Sequence, residues 1–132
     1  MTTTETMAST LSGAKLKVTL GALGVPPSYF AAMNNVAMRT VVRWFDSAAV
    51  PESAAAKLVE LVELARDEEE RLIRIASGAA ARHDDHVTIY TYRIDKDFDH
   101  PDGLPAEWHR QLTYRVMRHL QEEGYEVRVE YA

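Results

Sequence analysis

The chain has 132 residues, 46% of them apolar and 27% charged, which is the size and balance of one globular domain or two very small ones. No apolar run approaches the ~18 residues of a membrane span, the segment from Met1 to Thr6 lacks the basic and apolar regions of a secretory signal, and cysteine is absent. These features exclude disulfides, thiolate metal sites and thiol catalysis, and they fit a reducing cytosol. The net charge of −5 alone opposes nucleic-acid binding, but it is unevenly spread. Lys15, Lys17, Arg39 and Arg43 outnumber Glu5 and Asp46 in residues 1–50, whereas residues 83–132 hold eleven acidic against six basic side chains. A basic front and an acidic back imply two tasks.

Residues 1–10 are Thr-rich without apolar periodicity and read as a disordered tail. Ser12 is placed to cap a helix with Leu16, Leu20 and Leu23 on one side, and Gly24 to end it. Pro26 and Pro27 open a second short helix, with Tyr29, Phe30 and Met33 as its apolar side and Asn34-Asn35 as its stop. A third helix is expected from about Ala37 to Asp46, burying Val41, Trp44 and Phe45. Pro51 starts a fourth, with Leu58, Leu61, Val62 and Ala65 on one face. It is expected to continue through the acidic run Asp67 to Glu70 as far as Ala76 and to stop at Ser77-Gly78.

Residues 79–85 read as a linker. His86–Ile94 is β-branched and aromatic, with apolar side chains on both alternating sets, which predicts a strand covered on both faces. Asp95–Pro105 is turn-rich. Ala106–Glu123 is expected to be a helix with Trp108, Leu112, Val116 and Leu120 at i+4 spacings and Gly124 just beyond its end. Tyr125–Tyr131 alternates apolar and charged as a strand does. The predicted fold is α+β: an all-helical domain over 11–78, a linker over 79–85, and a small β-α-β domain over 86–132. Two strands and one helix are little core for a free-standing unit, and pairing with a second copy remedies that. The expected dimer interface is Val87, Ile89, Tyr90, Tyr92, Trp108, Val127 and Val129.

Helices two and three, joined by a tight turn, have helix-turn-helix spacing. The stretch LGVPPSYFAAMNNVAMRTVVRWFDSAAVP, Leu23 to Pro51, resembles the helix-turn-helix of phage-repressor (Xre-like) transcription factors over residues 14–65. The resemblance puts the family's small first-helix residue on Ala31, its turn residue on Asn35 and its buried positions on Val36, Val41 and Trp44. Departures are Pro27, where a Gln often contacts phosphate, Ala37, where Ser or Thr commonly caps the recognition helix, and Asn35 in place of Gly. The order of elements, with Asp102-Gly103 and Trp108, also resembles anti-CRISPR-associated autorepressors of phages, whose C-terminal part makes the dimer. The resemblance implies a dimeric, cytoplasmic, nucleoid-associated repressor of phage or prophage type that reads double-stranded DNA. With Val41 and Trp44 inward, Ala37, Met38, Arg39, Val42 and Arg43 face outward toward base edges. Thr40, Lys15 and Lys17 would meet the phosphate backbone.

The competing reading is a protein-interaction module, in which the two-helix unit is only a packing device and the acidic C-terminal domain binds a protein partner, as an antitoxin or a phage host-takeover factor would. His83, Asp84, Asp85 and His86 carry metal-ligand chemistry, but in an extended linker they do not converge, and a polar linker is the plainer reading. Asp95, Asp97, Asp99 and Asp102 alternate like the start of a calcium loop, but Gly103 follows Asp95 by eight residues rather than five. No nucleophile stands beside a base at helical or loop spacing. The sequence therefore predicts no enzyme, no cofactor, no metal and no membrane partner.

Overall fold

In the computed structural model, which describes residues 10–132, the chain divides into two compact units at the Glu63–Leu64 boundary. The tail expected over residues 1–10 lies, apart from Thr10, outside the described residues.

The first unit begins with α1, Gly13–Leu23. Ser12 accepts the Lys15 amide at 3.1 Å as its cap, and Gly24 closes it in the left-handed conformation, φ 71°, which glycine adopts without steric cost. Next come α2, Pro27–Met33, and α3, Met38–Trp44. The turn between them passes through Asn35 at φ 54°, a conformation that Asn tolerates better than most residues. α3 is shorter at both ends than the Ala37–Asp46 expected, with Ala37 as its N-cap and Phe45 as its C-cap. Leu16, Leu20, Phe30, Ala31 and Val41 are buried, as are Ala54, Ala55, Leu58 and Leu61 of the helix that follows.

α4, Glu52–Ala81, is one continuous helix of 30 residues. Two expectations for it are corrected. Val62 is 38% exposed rather than on the buried face. The stop signal at Ser77-Gly78 is overridden: Ala76 before it and Ala80 beyond it, at 6% and 0% exposure, are both buried, and burial outweighs the helix penalty of one glycine. Residues 79–81 of the expected linker are thus helical, and the division between the units falls inside α4.

The second unit contains the rest of α4, β1 (His86–Thr91), a 3-10 turn at Asp95–Asp97, α5 (Ala106–Glu122) and β2 (Glu126–Tyr131). β1 and β2 pair in parallel from His86↔Glu126 to Thr91↔Tyr131, the pairing that a β-α-β crossover requires. β1 ends three residues before the expected Ile94 because the ladder closes there, where the Ala132 amide donates to the Thr91 carbonyl at 2.8 Å. Trp108, Leu112, Val116 and Leu120 form the buried stripe of α5. Val116, Leu120 and Ala76 make a cluster against which Val87, Ile89, Tyr125 and Val127 pack. The chain is therefore helix-rich with a small two-stranded parallel sheet, and no helix among the described residues is long and apolar enough to cross a membrane.

Candidate nucleic-acid interface

α3 has one buried and one open side. Val41 is fully buried, and the Phe30 and Trp44 rings meet edge to face at 6.3 Å, which locks α3 onto α2. On the opposite side Met38 and Val42 are 55% and 46% exposed. Ala37, Arg39 and Arg43 are exposed, Thr40 half-buried. Neither arginine has an ion-pair partner among the described residues. A seven-residue helix thus presents two i, i+4 pairs side by side, Arg39/Arg43 and Met38/Val42. An arginine fork suits the two acceptors of a guanine edge, and an exposed methyl or thioether suits a thymine methyl. Ala37 gives α3 no side-chain cap.

Gly13 had no assigned role in the sequence. Its amide donates to the Ser47 carbonyl at 2.9 Å, and a Cβ there would lie 2.0 Å from the Trp44 carbonyl oxygen. α1 therefore abuts the backbone that leaves α3, which only glycine permits. This contact sets Lys17 at that end, with its Nζ 5.8 Å from the centre of the Phe45 ring. Lys15 and Lys17 are both exposed. The only sequence signal for Gly13 is a small residue directly after a capping Ser, which is weak by itself.

The interface residues expected in the second unit separate into two groups. Trp108 is 1% exposed, with its ring stacked 6.2 Å from Phe98 and edge-on to His100 at 5.2 Å. It belongs to the unit's own core and cannot meet a partner, which corrects the interface set. Val87, Ile89 and Val127 are half-buried against the α5 cluster. Tyr92 leans on Phe98 and His109 at 4.9 and 5.0 Å. Tyr90 and Val129 remain open, at 55% and 42%. The other face of β1 carries His86, Thr88 and Tyr90 beside Glu126, Arg128 and Glu130 of β2. It is polar, so the expectation of apolar cover on both faces of β1 does not hold.

His109 lies beneath this sheet. Its Nδ1 is 2.9 Å from Thr91 Oγ1 and 3.2 Å from Thr113 Oγ1. Burial pushes its imidazole below the ordinary value, with the Glu68 carboxylate opposing and His100 adding to the shift. Glu68 is itself held below the usual carboxylate range, chiefly by its hydrogen bond from Arg71. Asp95 is a structural acid: its Oδ1 accepts the Ala106 amide at 2.8 Å and caps α5. No group of three metal-ligating side chains converges among the described residues.

No protein-family model matches the chain, and no curated protein matches it.

Proposed function

We propose that the chain is a dimeric, sequence-specific DNA-binding regulator whose α2–α3 pair acts as a helix-turn-helix, with α3 in the major groove. The observation that carries this reading is the open side of α3, where Arg39 and Arg43 are exposed without acidic partners beside Met38 and Val42. Exposed guanidinium groups beside open apolar side chains on one short helix have the chemistry that reads base edges. Thr40, Lys15 and Lys17 supply phosphate contacts. Two copies would set their recognition helices about 34 Å apart on the half-sites of an inverted repeat and occlude a promoter. Such a repressor acts in the cytoplasm, on the nucleoid, without a cofactor.

Selection on random duplex DNA tests this reading. The expected product is an enriched inverted repeat that the full chain binds, and retention of no sequence overturns the proposal.

A second reading rests on α3's lack of a side-chain cap: the α2–α3 pair would then be only a packing unit, and the acidic second unit would bind a protein partner. Binding that is insensitive to salt and independent of duplex DNA favours that alternative.

A further inference from the structure

β2 has one edge that pairs with β1 and one that, among the described residues, pairs with nothing. The Glu126 and Ala132 amides donate to the Asp85 and Thr91 carbonyls. Period-2 alternation therefore turns the backbone groups of Glu126, Arg128 and Glu130 toward β1 and those of Val127, Val129 and Tyr131 outward. An open strand edge is a template for another strand. This one is bordered by apolar side chains: Tyr114, Val129 and Tyr131 are 55%, 42% and 60% exposed, and with Met117 they line a groove between α5 and the edge.

We propose that this edge pairs antiparallel with β2 of a second copy, with the two-fold axis at Val129. The inference names the interface of the dimer proposed above and rests on that reading.

The outward groups belong to odd-numbered residues, so only registers that place odd opposite odd satisfy both strands. Four such registers centre on residues 127–130 of β2. An axis at Glu130 sets Glu130 against its own copy and leaves Arg128 opposite Ala132, with no opposite-charge pair. An axis at Arg128 sets Arg128 against its own copy and Glu126 against Glu130, like charges in every case. An axis at Val127 runs into Gly124 and the turn before β2, leaving only a short pairing. An axis at Val129 pairs residues 127–131 throughout. It places Arg128 opposite Glu130 twice, Val127 opposite Tyr131 twice, and Val129 opposite itself. Charge and apolar complementarity therefore select one register. The result is a four-stranded sheet with both copies of α5 on one face, closing the groove at Tyr114 and Met117.

The test uses the full chain without DNA. Wild type is expected to be a dimer at micromolar concentration by sedimentation equilibrium. Arg128→Glu sets Glu against Glu twice and is expected to weaken the dimer about tenfold or more. Arg128→Glu combined with Glu130→Arg rebuilds both pairs and restores it. Val129→Pro removes an outward N–H, which leaves the ladder to β1 intact, so it is expected to give a folded monomer by circular dichroism. The chain contains no cysteine, so Val129→Cys alone is expected to form a disulfide dimer in air, because Cα atoms of a hydrogen-bonded pair lie ~5.5 Å apart. Thr88→Cys, on the far strand, is expected to stay monomeric under denaturing conditions.

A monomeric wild type, a dimer indifferent to Arg128→Glu, or crosslinking at Thr88→Cys in place of Val129→Cys overturns the proposal. A dimer that behaves as expected but binds no DNA leaves the strand pairing standing and removes only the regulator reading.

Discussion

A single hydrogen atom at Gly13 lets α1 approach the backbone leaving α3. A methyl group there would meet the Trp44 and Phe45 carbonyl oxygens at 2.0 and 2.4 Å, and backbone cannot yield as a flexible side chain can. Gly13→Ala is expected to destabilise the first unit by about 1–3 kcal/mol, seen as a lower thermal midpoint, and to weaken DNA binding because α3 shifts with it. Arg39→Ala and Arg43→Ala should weaken binding without the loss of stability. Both side chains are exposed, so the thermal midpoint should stay in place while each substitution costs roughly 1–3 kcal/mol of operator binding. Unchanged operator affinity in both variants removes α3 from the groove.

His109 gives the second unit a pH dependence. Burial lowers its folded-state value below the ordinary 6.5, so the unfolded chain takes up a proton that the folded chain refuses. Stability is then fully present above the ordinary value and is lost as pH falls from there toward the lower folded value. The denaturant midpoint should fall on acidification through this window, and His109→Gln should flatten that slope. An unchanged slope in His109→Gln assigns the dependence elsewhere.

Among the elements, α4 shows where local signals yield to packing. Ser77-Gly78 has the composition of a helix stop, yet Ala76 before it and Ala80 beyond it are both buried, and no local pattern announces the burial that distant β1 and α5 supply at Ala76. A Cβ on Gly78 would meet only the Arg82 guanidinium at 3.5 Å, an ordinary contact. Gly78→Ala is therefore expected to stabilise the protein by about 0.5–1 kcal/mol, as in any helix interior. A neutral or negative effect in a denaturation series would mean that residues 77–81 are not held helical. The ends of α1 and α5 were legible because Ser12, Gly24 and Gly124 carry specific backbone chemistry. The stripe Trp108, Leu112, Val116 and Leu120 was legible from its spacing, but its spacing could not tell the chain's own core from an interface. The end of β1 was not legible, because it depends on where β2 stops pairing with it. The open side of α3 was legible in full: once Val41 is inward, helical geometry fixes Met38, Arg39, Val42 and Arg43 outward.

At the scale of the whole molecule, the proposed regulator, with a net charge of −5, would bind a polyanion through few cations. Lys15, Lys17, Arg39 and Arg43 are the basic residues of the first 50, while residues 83–132 hold eleven acidic side chains, which repel phosphate, so the proposed DNA contact is confined to the first unit. On that reading, affinity at physiological salt would depend on joining two weak half-site contacts, and dimerisation would be a condition of selectivity. This coupling is measurable. If all four cations meet phosphates, the slope of log affinity against log salt is about −3.6 for one copy, from roughly −0.9 per contact, and about −7 for two copies. Any cation that contacts only bases lowers both values in proportion, so the ratio is the firmer quantity. The wild-type slope is expected to be about twice that of Val129→Pro, a substitution that changes no charge and leaves α3 untouched. Equal slopes would mean that each copy binds alone, and slopes near zero would mean that the basic face of the first unit meets something other than DNA.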